Sequence, residues 1–198
     1  GEDPFDASKG HNFHFMAGRV KPALAELSPF ERSLYLDVDT EILRDLEPAI
    51  ELLEKWDMLV TTHVAGHIVS RLYNRRNAGW YHSRRERRVT ISEWGDGDAP
   101  FLNSGVVFWR VGAPAREVFS GWGAEWKRFA QWDEQLALMR SLRKSSARYL
   151  ELPAAWNAPH REEAVYIFHN YGRGVARSDA EVPPIPGREL FRGIGGTS

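Results

Sequence analysis

The 198-residue sequence predicts a single α/β domain, on three observations. Hydrophobic residues make up 42%, enough to bury a core at a length that suits one domain. Short apolar runs alternate with segments of helical spacing, the order that lays helices against a sheet. Early in the chain a strand, a helix and a second strand follow within about thirty residues, the pattern of a parallel βαβ unit.

Residues 1–20 are polar and mixed and predict an irregular leading segment. Lys21 to Leu27 has weak helical character, which Ser28-Pro29 ends. Leu34-Tyr35-Leu36-Asp37-Val38-Asp39 is an apolar run closing in two acids, expected as a buried strand that reaches the carboxyl edge of the sheet. Asp45 to Trp56 places Leu46, Ile50 and Leu53 at helical spacing, with Asp45 as N-cap. Residues 57–62 form the next strand. A long excursion follows over 66–99, with helical character at Ile68–Tyr73 and loop signals at Gly79 and Gly95-Asp96-Gly97-Asp98. Within it, Arg84-Arg85-Glu86-Arg87-Arg88 predicts a solvated basic loop. Val106–Trp109 is a third strand, entered from Phe101-Leu102-Asn103-Ser104-Gly105. Ala113–Phe129 predicts a helix with weak spots at Gly121 and Gly123. Trp132-Asp133 opens another helix through Arg143, with Leu136, Met139 and Leu142 on one side. Tyr149–Leu152 and Val165–His169 are late strands. The domain is expected over 1–178, followed by a Pro- and Gly-rich tail over 179–198.

A net charge of −1 gives no support for a nucleic-acid partner or an anionic membrane surface. The absence of cysteine excludes disulfides, thiolate metal sites and cysteine catalysis. No signal peptide is visible, and no apolar run approaches the roughly 20 residues that span a bilayer. A cytoplasmic protein is the default expectation. Eight tryptophans suit a large core, and also suit stacking against sugar rings.

Asp37 and Asp39 are the sharpest chemical signal. On a strand, alternate side chains share a face, which would set the two carboxylates about 7 Å apart on one side. They sit where an apolar strand gives way to a loop, the edge at which open α/β sheets bind ligands. Two such carboxylates repel unless a cation joins them, and a hard divalent ion is the natural partner.

The stretch Leu34-Tyr35-Leu36-Asp37-Val38-Asp39-Thr40-Glu41-Ile42 resembles the D-x-D segment of GT-A glycosyltransferases, particularly the retaining family 8 type. Three more stretches resemble that family in the same order. Phe101-Leu102-Asn103-Ser104-Gly105 is similar to its F-N-S-G segment, and Trp132-Asp133-Glu134-Gln135 to its acidic helix start. Ile167-Phe168-His169-Asn170-Tyr171-Gly172-Arg173 is similar to its H-x-x-G-x-x-K segment, although the Lys-Pro-Trp that should follow is missing. Leu152-Pro153-Ala154-Ala155-Trp156-Asn157 also resembles a run of that family. It reads as structural, with Asn157 in reach of the site. The resemblance covers about Lys21 to Gly174.

The resemblance implies a Rossmann-like GT-A domain with a mixed sheet flanked by helices, here without the usual N-terminal nucleotide-binding strand. It implies a metal-dependent glycosyltransferase that moves a sugar from a nucleotide diphosphate sugar to an acceptor hydroxyl, with retention. Asp37, Asp39 and His169 would hold Mn²⁺ or Mg²⁺, the imidazole favouring Mn²⁺. Lys21, Asp37, Asn103, Ser104, Gly172 and Arg173 would bind the nucleotide sugar, with a UDP-sugar the leading donor. Asp133 and Glu134 would be catalytic, orienting the sugar or taking a proton. Two alternatives stand beside this. One is a non-catalytic carbohydrate-binding or scaffold domain on a degenerate transferase fold. The other is a haloacid dehalogenase-type phosphatase, although Glu41 occupies the place where that family has a threonine.

Overall fold

The computed structural model describes residues 20–67, 84–95, 100–129 and 134–170. A 3-10 turn, Lys21–Ala23, runs into α1 (Leu24–Leu27). Then follow β1 (Arg32–Leu36), β2 (Thr40–Ile42), α2 (Glu47–Leu52), β3 (Met58–His67) and α3 (Arg84–Trp94). The remaining elements are β4 (Pro100–Arg110), α4 (Ala113–Phe129), α5 (Gln135–Lys144), β5 (Tyr149–Leu152) and β6 (Ile167–His169). No described helix is long and apolar enough to cross a membrane.

Among the described residues, four strands form a mixed sheet in the order β1-β4-β3-β5, and β2 and β6 form a second, two-stranded sheet. β4 is antiparallel to both β1 and β3, while β5 runs parallel to β3. This corrects the expected βαβ unit. β1 and β3 do run the same way, but β4 lies between them. The reason is hydrophobic. Every residue from Phe101 to Trp109 is buried, and a strand apolar on both faces belongs in the middle of a covered sheet. The Asn103-Ser104-Gly105 segment, expected as the approach to a strand, lies inside this one.

Side-chain alternation along β3 and β4 divides the core in two. Met58, Val60, Val107 and Trp109 face Val118, Phe119, Trp122 and Trp126 of α4 and Leu136, Met139 and Leu142 of α5. Leu59, Val106 and Phe108 face the opposite way, against Leu46, Ala49, Leu53, Leu152, Trp156 and Ile167. The α4 set recurs at three- and four-residue intervals, one stripe of a helix. Trp109, Trp122, Trp126 and Trp156 are therefore core residues. Gly121 is a contact point rather than a weak spot. A Cβ there would strike Ser141 Oγ, and Ser141 donates to the Val118 carbonyl at 2.7 Å.

The helix expected from Asp45 is shorter, and Asp45 Oδ1 accepts the Glu47 N–H at 3.0 Å. The basic run at Arg84–Arg88, expected as a solvated loop, is the first turn and a half of α3. Arg85 and Arg88 are exposed, but Glu86 and Thr90 turn inward. There the buried Arg140 of α5 meets Glu86 Oε1 at 3.0 Å, Thr90 Oγ1 at 2.6 Å and Glu125 Oε2 at 2.9 Å. A loop reading treats all five charges alike, whereas one inward glutamate with a buried arginine opposite fixes a helix. The segments at Ile68–Tyr73, Gly79–Tyr81, Gly97–Asp98 and Trp132-Asp133 and the tail over 179–198 lie outside the described residues.

Candidate metal centre

Strand β1 ends at Leu36, so Asp37 and Asp39 do not project from a strand as expected. They stand in a tight turn. The Asp37 N–H donates to the Gly105 carbonyl at 2.8 Å, carrying the β1–β4 ladder one step further. The Asp37 carbonyl accepts both the Thr40 N–H at 3.1 Å and the Thr40 hydroxyl at 2.7 Å. That closure reverses the chain within four residues, turns Val38 out to 90% exposure and aims both carboxylates to one side. The acids converge through turn geometry, where sequence reasoning assigned the convergence to strand alternation.

The turn delivers the chain into β2, which pairs antiparallel with β6, Thr40 opposite His169. The Asn170 N–H also donates to the Asp39 carbonyl at 2.9 Å. This pairing brings a side chain from late in the sequence to the acids. His169 Nε2 lies 3.1 Å from Asp39 Oδ1 and 3.7 Å from Asp37 Oδ2. One ligand atom from each of Asp37, Asp39 and His169 falls within 4.8 Å of the others. On its other side, His169 Nδ1 is 2.7 Å from Asn157 Oδ1. Burial lowers the His169 pKa, outweighing the pull of Asp39 and Asp37, so the ring favours its neutral, ligating form.

Lys21 reaches the same place from the opposite side. Its ammonium lies 3.0 Å from Asp37 Oδ1 and 2.9 Å from Glu134 Oε1, and 3.3 Å from Ser104 Oγ. Burial disfavours its charge, but Glu134 and Asp37 outweigh that and raise its pKa. Ser104 Oγ in turn donates to Glu134 Oε1 at 2.6 Å. Tyr35 donates its phenol hydrogen to Asp37 Oδ1 at 2.6 Å. Burial raises the Tyr35 pKa, Lys21 opposes the shift, and Asp37 adds to it, so the group stays a donor. Asp37 therefore gives Oδ1 to Tyr35 and Lys21, while Oδ2 faces His169 and also accepts from Lys21 at 3.4 Å.

Gly105 forms the floor. A Cβ at that position would overlap His169 Cε1 and come within 2.7 Å of Asp37 Oδ2 and 2.9 Å of Asn103 Oδ1. Only a bare backbone fits beneath the carboxylates and the imidazole. The Asn103 side chain is turned onto its own strand, Oδ1 accepting the Gly105 N–H at 2.6 Å. Two carboxylates and one imidazole over such a floor fit a hard to borderline divalent ion.

The structure thus gathers Lys21, Asp37, Asp39, Asn103, Ser104, Glu134 and His169 at one edge of the sheet. Asp133, Gly172 and Arg173 lie outside the described residues. Sequence reasoning missed Tyr35. Tyr35 carried a usable signal, since it stands two residues before Asp37 on one face of an apolar strand.

Comparison with solved structures places this architecture. An apo structure of the bifunctional glycosyltransferase WbbM matches over 75% of this chain with a TM-score of 0.53 at 14% identity, using 26% of its own length. The fold is GT-A-like. Two further matches are weaker. The galactosyltransferase LgtC, solved with donor and acceptor sugar analogues, gives 0.49 at 14% identity over 80% of this chain and 59% of its own. Mouse xyloside xylosyltransferase 1 in its apo form gives 0.46 at 13% identity over 72% and 52%. The chain spans between about a quarter and three-fifths of the length of these structures. No protein-family model and no curated protein matches it. At such identity the likeness establishes the GT-A-like fold, and the site's chemistry rests on its own geometry.

Proposed function

We propose that this domain is a metal-dependent glycosyltransferase that moves a sugar from a nucleotide diphosphate sugar to an acceptor hydroxyl. One observation carries the reading. Asp37 and Asp39 of one turn meet His169, from far along the chain, at one edge of the sheet in a fold shared with a glycosyltransferase structure. Asp37 Oδ2, Asp39 Oδ1 and His169 Nε2 would hold the ion, and the imidazole favours Mn²⁺ over Mg²⁺. A divalent cation in that place supplies charge neutralisation for a departing diphosphate. Lys21 adds a fixed positive charge beside it and pairs with both Asp37 and Glu134. Ser104 orients Glu134, and Gly105 lets a ligand approach the backbone.

The remaining assignments rest on sequence resemblance. Asp133 and Glu134 would lie beside the donor sugar, and Gly172 and Arg173 beside the phosphates. Glu134 is buried against Lys21 and Ser104, which suits an orienting role more than proton transfer. A UDP-sugar is the proposed donor and retention the proposed outcome.

The test is donor hydrolysis across UDP- and GDP-sugars, with and without Mn²⁺, for wild type and Asp39→Asn. Mn²⁺-dependent release of the nucleotide by wild type, and its loss in the variant, is the expected result. Activity that ignores both Mn²⁺ and the substitution would refute the proposal. Sugar binding without turnover would favour a carbohydrate-binding domain instead.

A further inference from the structure

We propose that Asn157 is a positioning residue: anchored by Thr61, it holds the His169 imidazole with its hydrogen on Nδ1 and so presents the Nε2 lone pair to the divalent ion. The inference rests on the metal-site reading above and extends it to two residues with no ligating role of their own.

A directional chain of hydrogen bonds carries it. The Thr61 hydroxyl donates to the Asn103 backbone carbonyl at 3.5 Å. That carbonyl can only accept, so it fixes the sense of every bond before it. Thr61 Oγ1 accepts from Asn157 Nδ2 at 2.8 Å. The Asn157 carbonyl oxygen is thereby turned to His169, where Oδ1 stands 2.7 Å from Nδ1 and takes its hydrogen. The reverse amide orientation would draw the Thr61 hydrogen away from Asn103. It would also place the imidazole hydrogen on Nε2, in the space between Asp39 Oδ1 and Asp37 Oδ2 where an ion would sit.

The surroundings keep the chain in place. Thr61 and Asn157 are fully buried, and His169 and Asn103 nearly so, which leaves little room for water to substitute for a lost partner. The Asn157 backbone is tied as well, its N–H donating to the Ala154 carbonyl at 2.8 Å after the 3-10 turn Ala154–Trp156. The next residue, Ala158, accepts the His169 N–H at 2.9 Å. The ring is therefore held through both its backbone and its Nδ1. Metal-ligating histidines are commonly oriented by such a partner, and losing one costs about 10–100-fold in metal affinity.

The experiment is a Mn²⁺ titration followed by electron paramagnetic resonance, with ¹H–¹⁵N NMR of the histidine side chains in the Zn²⁺-loaded protein. Asn157→Leu should lower Mn²⁺ affinity by about 10–100-fold and abolish the protected Nδ1–H signal of His169. Asn157→Asp should retain both, because a carboxylate oxygen replaces the amide oxygen as acceptor. Thr61→Val, which keeps the shape but frees the amide, should give a smaller loss of affinity and a weaker signal. It also serves as the deciding variant if Asn157→Leu fails to fold. Wild-type affinity and an intact Nδ1–H in Asn157→Leu, or in Thr61→Val alone if that is the variant that folds, would overturn the proposal. A wild type that fails to bind Mn²⁺ would instead sink the metal-site reading, and this inference with it.

Discussion

Thr40 and His169 stand opposite each other across the short antiparallel pair β2–β6, and that pairing sets the imidazole 3.1 Å from Asp39. The proposed ion site is thus a product of backbone registry as much as of side-chain choice. A slip of one residue would turn His169 to the other face of its strand and empty the third ligand position.

Gly105→Ala should impair the site from below. The new methyl would overlap His169 and crowd Asp37, so ring and carboxylate must separate. We expect a clear loss of Mn²⁺ affinity and about 1–3 kcal/mol of destabilisation, as for overpacking elsewhere. Metal titration and urea unfolding of the same variant would check both.

Lys21→Met should cost about 3–5 kcal/mol, the usual penalty for leaving one member of a buried pair without its counter-charge. Glu134, buried beside it, is the stranded partner. Adding Glu134→Gln should recover part of the loss, giving a double-mutant coupling of about 0.5–3 kcal/mol. The sign with pH follows from the raised Lys21 pKa. Its stabilisation is complete below the ordinary lysine value near 10.4 and fades as pH rises through the folded value. Urea midpoints measured up to alkaline pH should show wild type converging on the variant only at the top of the range.

Asp57 should govern part of the acid stability. It accepts the Arg148 N–H and an Arg110 guanidinium hydrogen, both at 2.9 Å, tying the starts of β3 and β5 to the end of β4. Burial opposes its charge, but these partners hold its pKa below the ordinary value. Such stability is present above about pH 3.9 and is lost as pH falls through the folded value. Asp57→Asn should therefore cost about 1–3 kcal/mol at neutral pH and progressively less in acid. Chemical unfolding of both proteins between pH 7 and pH 2.5 is the measurement, and a gap that widens in acid would contradict the assignment.

Arg140→Met should destabilise by about 3–5 kcal/mol, because Glu86 is buried against it. Pairing it with Glu86→Leu should restore part of the loss, since it removes the stranded buried acid, while Glu125 keeps Lys144 and Arg128 as partners. Thermal unfolding of the single and double variants would show the recovery.

Much of this architecture was legible in the sequence. Ala113–Phe129 and Tyr149–Leu152 fall where helical and strand periodicity place them, because their packing partners demand the same spacing. The acids were readable as chemistry at the end of an apolar run, and His169, Lys21 and the Asn103-Ser104 pair through the resemblance to GT-A glycosyltransferases. Their convergence was implied by that resemblance alone. It depends on the turn closed by Thr40 and on the pairing of β2 with β6, both set by chain geometry over long separations. The helix at Arg84–Trp94 was hidden because a run of arginines reads as solvated until Arg140 is seen opposite Glu86. The place of β4 between β1 and β3 was hidden as well, since apolarity marks a strand as central without naming its neighbours.

The late arrival of β6 bears on how the protein comes off the ribosome. On the order of 130 residues separate Asp37 from His169, so at ordinary translation rates the acids emerge roughly 7–26 seconds before their imidazole partner is made. Until then the nascent chain carries a carboxylate pair able to attract divalent ions only loosely. At the proposed site, tight capture must wait for β6 to dock on β2, so ion retention would report that this pairing has formed.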